Sequence, residues 1–269
     1  MRIAIDHQTR YRFSAPQARL VQLLRLTPQD SIDQTVIHWH IGVDCDVRLR
    51  DARDGFGNKV TTLYADGPLD GIAIHVQGEV LTAGEAGIVR GAHEPLPPAL
   101  FLRTTERTRP SLEMMAFVAD TMLHLGAPLD RLHRLNAALH ERCERFEAAR
   151  DDGRTAAEVF ASGRGAARDL AHLLITCARI ATIPARYVSG YHADEGHHPA
   201  PHAWAEAWVE GLGWVAFDPY AGICADTDYV RVAVALDVSG ASPVAGSRLG
   251  EGDESLDVDV QVEAMRADG

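Results

Sequence analysis

An ordered set of segments constrains the fold of this chain more than any other feature in it. The stretch 165-GAARDLAHLLITCARIA-181 is followed by 183-IPARYVSGY-191, then 202-HAWAEAW-208, then 214-WVAFDPY-220. In the first, Leu170, Leu173, Leu174, Cys177 and Ala178 recur at the spacing of one buried helix face, and Pro184 lies beyond the helix end. The next three are short and rich in β-branched and aromatic residues, so they read as strands. Between the last two, EGLG at 210–213 has the length of a hairpin turn. Adjacent antiparallel strands would set His202 and Asp218 side by side.

That pairing suggests a chemistry. A cysteine in the first turn of a helix feels the partial positive charge of the free N–H groups, which lowers its pKa and makes it a better nucleophile. Such a thiolate needs a histidine, and the histidine needs a third group to fix its tautomer and orientation. His202 and Asp218 fit the second and third roles. At the helix start the residue is Ala167. Of the four cysteines, Cys177 lies ten positions along the same helix, about 15 Å away, on its apolar face. Cys224 follows Asp218 by six residues in an expected loop, and Cys45 and Cys143 are remote in sequence. Ser162 reads as a cap or loop serine.

Upstream the pattern differs. RIAIDHQTRYRF, ARLVQLLRLTP, QTVIHWHIGVDCDVRLRDA, KVTTLYAD and GIAIHVQGEVLT, all before residue 85, read as strands, with turns at GFGN (55–58) and DGPLDG (66–71). Residues 85–110 carry AHEPLPPAL and lack periodicity, as a linker or extended arm would. From Ser111, a plausible N-cap, SLEMMAFVADTML places Met115, Val118 and Met122 at helical spacing. LDRLHRLNAALHERCERF repeats Leu129, Leu132, Leu135 and Leu139, a second amphipathic helix. YVRVAVAL and the alternating, acidic SLDVDVQVEA read as later strands. The predicted class is α+β: an antiparallel β domain over 1–84, a linker over 85–110, and a core over 111–269 whose helices precede its sheet.

These segments resemble the transglutaminase-like superfamily, a branch of papain-type thiol chemistry. Its bacterial members carry a GVC(R/Q)DFAH-like run where this chain has GAARDLAH at 165–172. The resemblance continues through IPARYVSGY at 183–191, HAWAEA at 202–207 and GWVAFDPYAG at 213–222. MRIAIDHQTRYRF and RDGFGNKV are similar to the β domain that precedes the core in those members. The resemblance implies that His202 is the catalytic-type histidine, Asp218 its orienting aspartate, and Ala167 the position of the lost nucleophile. It implies second-shell or capping roles for Asp169 and His172. Trp204 and Trp214 are cleft walls or core. The main-chain N–H of residue 167 is a candidate oxyanion donor.

Composition narrows the partners. Net charge is −12 with no dense Lys/Arg run, which argues against a nucleic-acid backbone or an anionic membrane as partner. No window approaches about 18 apolar residues, and the N-terminus lacks the apolar stretch of a secretory signal. The dispersed cysteines suggest a reducing, cytoplasmic setting. His192, His197, His198 and His202 cluster in sequence, but EGHHPAP is loop-like and offers no helical pair for a metal, so no metal or cofactor is expected.

Two readings stay open. One is a pseudoenzyme that keeps the cleft to bind a peptide or isopeptide. The other is a genuine cysteine peptidase or amidase whose nucleophile was deliberately replaced by alanine. The resemblance implies a peptide-modification setting, with ATP-grasp-type peptide ligases among the partners.

Overall fold

A computed structural model describes residues 1–265 apart from 85–86, 123–125 and 195. The first residues of the expected linker and the end of the expected core, 266–269, therefore lie outside the described residues. The chain runs β1 (Arg2–Leu24), β2 (Gln34–Val43), β3 (Arg48–Arg53), β4 (Lys59–Thr82), α1 (Leu112–Met122), α2 (Pro128–Arg142), β5 (Glu144–Arg145), α3 (Ala156–Ser162) and β6 (Arg164–Gly165). It continues through α4 (Ala167–Ile180), β7 (Ala185–His192), β8 (His202–Val209), β9 (Gly213–Asp218), β10 (Ile223–Cys224), β11 (Tyr229–Ala235), α5 (Val238–Ala241), β12 (Val244–Leu249) and β13 (Glu254–Met265). The α+β class and the order expected from sequence are what the chain adopts.

The N-terminal sheet is antiparallel and built on two long strands, β1 and β4, paired along most of their length. Two segments expected as separate strands are continuous in β1, and two more in β4. DGPLDG is therefore not a turn: it lies within β4, opposite an irregularity of β1 between Arg12 and Arg19. Its glycines serve close approach instead. A Cβ on Gly67 would stand 1.9 Å from the Gln17 carbonyl oxygen, and one on Gly71 2.5 Å from that of Tyr11.

The sheet's other members come from the far end of the chain. β12 pairs with Arg19–Leu24 of β1, and β13 pairs with Arg2–Phe13. SLDVDVQVEA is a strand, as its alternation predicts, but it belongs to the first sheet and not to the core sheet.

The second sheet has the order β10-β9-β8-β7-β11. β8 and β9 form the expected hairpin, with Trp208 opposite Trp214. α4 packs across β8 and β7 and is buried on nearly every side from Asp169 to Arg179. α1, α2 and α3 surround it. In α1 the buried methionines are Met114 and Met122. Met115, expected inward, is 44% exposed, because the apolar face is offset by one residue. Ser111 does cap this helix, its Oγ accepting from the Met114 N–H at 3.3 Å.

Ile3, Ile5 and Val80 of the first sheet share one continuous apolar cluster with α4, β7 and β8. The expected linker is a packed arm. Val89 N–H donates to the Trp214 carbonyl at 2.9 Å, Phe101 is buried, and Arg179 donates to the Phe101, Ala185 and Leu236 carbonyls.

Candidate active site

Alternation along β8 sorts its side chains by face. Ala203, Ala205 and Ala207 turn toward α4, where only small residues leave room for a buried helix. His202, Trp204 and Glu206 alternate with them onto the other face. Along β9, Val215 and Phe217 join the α4 side, so Trp214, Ala216 and Asp218 fall on the same face as His202. The hairpin register then brings the two polar strand ends together.

His202 Nε2 lies 2.6 Å from Asp218 Oδ2. A carboxylate only accepts, so Nε2 carries a proton and donates it to Asp218, which leaves Nδ1 as the ring nitrogen turned away from the carboxylate. Asp218 is fully buried and takes three further donors: the Tyr229 hydroxyl on Oδ2 at 2.8 Å, and the N–H groups of Tyr220 and Ala221 on Oδ1 at 2.8 and 3.1 Å. Burial works against its charge, but His202 and the surrounding donors outweigh that and hold its pKa below the ordinary carboxylate value. His192 packs against His202 and Tyr229, its ring centroid 5.3 Å from the first and 4.4 Å from the second. Burial first, then the neighbouring His202, keeps its pKa low.

Ala167 is the first residue of α4 and is half-buried. Gly165 sets up this corner: a Cβ there would meet Leu170 Cδ1 at 2.8 Å and Asp169 Cβ at 2.9 Å. Asp169 closes the helix start, accepting from the Ala166 N–H at 2.9 Å and from Arg154 Nη2 at 2.8 Å. Burial raises its pKa. The first N–H groups of α4 have no partner one turn back, so an acyl oxygen could be held there.

A cavity of about 590 Å³ joins these two sides. Ala166, Ala167 and Arg168 line it from the helix start, and His192 and His202 from the core sheet. His7, Thr9 and Tyr11 of β1 and five residues of β13 line it from the first sheet. The arrangement offers a base, an anchored carboxylate behind it and main-chain donors at a helix start, which is the equipment of acyl transfer less its nucleophile.

No described cysteine lines the cavity. Cys177 is fully buried, and its pKa is pushed far up by burial. Cys143 is buried as well, with a raised pKa from the same cause. Cys224 Sγ lies 3.9 Å from His133 Nδ1 and is outside the cavity. Ser162, expected as a cap or loop serine, is the last residue of α3, and its Oγ donates to the Val159 carbonyl of the same helix at 3.0 Å.

Other expected residues lie elsewhere. His172 is buried below the helix start, accepting from the Val238 N–H at 3.1 Å, and burial lowers its pKa to about 4. Trp204 and Trp214 are core, not cavity walls: both are buried, and Trp214 carries the Arg186 guanidinium 3.9 Å from its ring. His197 sits beside Asp259 and Gln261, and His198 bridges Glu147 and Asp194.

Three features escaped the sequence reading. Tyr229 carries no local signal, since only the fold brings β11 to Asp218. His7, Thr9 and Tyr191 form a buried hydrogen-bonded chain on the cavity floor, with His7 3.0 Å from each hydroxyl. A signal existed there, because His7 and Thr9 continue the buried face of Ile3 and Ile5. Glu206, inside the quoted HAWAEA run, is fully buried between Arg186 at 2.6 Å and Arg231 at 2.8 Å, on the far side of Trp204 from the cavity.

Comparisons with known proteins agree with this fold. Residues 116–219 match the transglutaminase-like superfamily, and residues 3–81 match the bacterial transglutaminase-like N-terminal region. A solved structure from Cytophaga hutchinsonii, provisionally designated a cysteine protease, has the same fold. It superposes with a TM-score of 0.81 at 18% identity, over 100% of this chain and 92% of that one. An uncharacterised protein of Mycobacterium leprae is 26% identical over 283 residues, covering 97% of this chain and 98% of that protein. One of Mycobacterium tuberculosis is 24% identical over 302 residues, covering 100% and 94%. The two family matches together span most of the chain, which belongs to the transglutaminase-like superfamily and carries its core behind the bacterial N-terminal region.

Proposed function

We propose that this protein binds a peptide or isopeptide in a transglutaminase-like cleft and performs no thiol chemistry there. One observation carries the reading: the cavity holds Ala167 at the helix start and His202 opposite, and no described cysteine lines it. A methyl group cannot attack a carbonyl. A cavity of about 590 Å³ lies within the roughly 300–1,000 Å³ range of small-molecule and cofactor sites. The free cysteines fit a reducing compartment, and we place the protein in the cytoplasm. No helix among the described residues is long and apolar enough to cross a membrane. Peptide ligases of the ATP-grasp type are the partners we would test first.

The intact His202–Asp218 geometry supports a second reading, a cysteine peptidase or amidase disabled only at residue 167. The codon for residue 167 in the source genome separates the two. Alanine there supports the binding reading, and cysteine makes this chain a disabled enzyme. Purified chain is then incubated with peptide p-nitroanilides, with and without iodoacetamide. No iodoacetamide-sensitive turnover is expected, and such turnover would overturn the proposal. Val260→Arg, which fills the cavity from β13, should abolish the peptide binding that the parent chain shows.

A further inference from the structure

The charged groups around the cavity are unequally matched. Four carboxylates line it, and each has a cation. Glu147 and Asp194 take the two ring nitrogens of His198 at 2.8 and 2.6 Å, Asp151 takes Arg107 at 2.6 Å, and Glu254 lies 3.7 Å from Arg248. Two arginines line it as well, and neither has a carboxylate in an ion pair among the described residues. Arg150 Nη2 donates to the Glu254 main-chain carbonyl at 3.1 Å, and Arg168 Nη2 to the Arg150 carbonyl. Arg168 Nε is buried and has no hydrogen-bond partner.

The neighbouring acids do not supply the missing partner. Asp169 Oδ2 is taken by Arg154 and the Ala166 N–H, and Asp152 is taken by Arg154. Asp169 and Asp152 feel Arg168 only through space. The helix does not account for Arg168 either. It stands in the first turn of α4, next to the nucleophile position, where the dipole disfavours a cation. A chain of net charge −12 has thus left two arginines that line its cavity without a carboxylate partner among the described residues.

Beyond Glu254, the face that β13 presents to the cavity is apolar. Leu256, Val258, Val260 and Val262 alternate along β13, and all four line the cavity. A ligand that satisfies both walls has an aliphatic body and an anionic end.

We propose that the cavity selects a short peptide acid, its carboxylate held by Arg150 and Arg168 and an aliphatic side chain seated on β13. Guanidinium groups suit this because their planar forks match a carboxylate with two parallel hydrogen bonds. The assignment rests on the ligand-binding reading above and adds the ligand's charge and shape to it.

The test compares two probes of the same shape, N-acetyl-alanyl-leucine as the free acid and as its C-terminal amide. Both are titrated calorimetrically into the full chain at pH 7.5 and low salt. The acid should bind about tenfold tighter than the amide. Arg168→Gln and Arg150→Gln should each remove most of that advantage, and an unchanged circular dichroism spectrum and urea midpoint show that each variant is still folded. Equal binding of acid and amide overturns the anion assignment and leaves the cleft reading standing. Binding of inorganic phosphate as tight as that of the acid overturns the peptide assignment. If neither probe binds, the cleft reading fails and this assignment with it.

Discussion

The two sides of the candidate site stand in opposite relation to the fold. On the sheet side, Asp218 is buried and receives four donors, from His202, Tyr229 and two main-chain N–H groups. Removing it strands all four. On the helix side, Ala167 occupies the start of α4 with no side-chain polar group to satisfy, and alanine is the best helix former. The sheet side is held in place by the cost of unpaired buried groups, and the helix side is free to change. An intact His202–Asp218 pair beside an alanine at residue 167 is therefore what folding stability alone would preserve. The pair is weak evidence for present catalysis.

The strongest challenge to that contrast is Asp218→Ala. It should cost about 3–5 kcal/mol, because it leaves several buried donors without an acceptor. Urea unfolding measures it. A loss under about 1 kcal/mol would mean that the sheet side is not under structural constraint.

A pH series sharpens the contrast between His202 and the buried histidines. His7 and His172 are both held near pKa 4 by burial, against an ordinary value of 6.5. Between those values the unfolded chain binds protons that the folded chain refuses. Their stabilisation is complete above about pH 6.5 and is lost as pH falls toward 4. Near pH 5 each contributes a slope of about 1.4 kcal/mol per pH unit. Urea midpoints at pH 7 and pH 5 should differ accordingly, and His172→Gln should flatten the slope by about half. An unchanged slope would show that His172 does not titrate this way.

Tyr229→Phe removes one of the donors to Asp218 and no charge. A loss of about 1–2 kcal/mol is expected, well below that for Asp218→Ala. Similar losses for the two would mean that the aspartate's other donors contribute little.

The smallest effect on stability belongs to Ala167→Cys, at most about 0.5 kcal/mol for a small exchange at a half-buried position. Its effect on reactivity should be large. The new thiol, at a helix start and lining the same cavity as His202, should alkylate with iodoacetamide at pH 6 faster than free cysteine. A rate like that of an ordinary thiol would show that the helix side no longer activates a nucleophile.

Legibility from sequence followed the range of the interactions. α4 showed itself in its leucine spacing, and the β8–β9 hairpin in EGLG, because both depend on neighbours within a few residues. His202 and Asp218 could be paired because the hairpin that joins them is local. Trp204 and Trp214 could not be assigned, since a tryptophan in a strand looks the same whether it faces a cleft or packs under Arg186. DGPLDG misled, because glycine serves a turn and a close strand approach equally well. Met114 and Met115 are adjacent, and one residue of helical phase decides which is buried.

The sequence by itself determined the α+β class, the core elements and the three positions Ala167, His202 and Asp218. These follow from local periodicity, turn chemistry and a resemblance carried by contiguous motifs. Only the tertiary structure decided that β12 and β13 return to the first sheet, that β13 becomes the apolar wall of the cavity, and that Tyr229 braces Asp218. Those pairings join residues up to more than two hundred positions apart, as Ile3 opposite Ala264 shows. An alternating strand states which of its faces is apolar but not which sheet will bury it. That choice is made by the whole packed core.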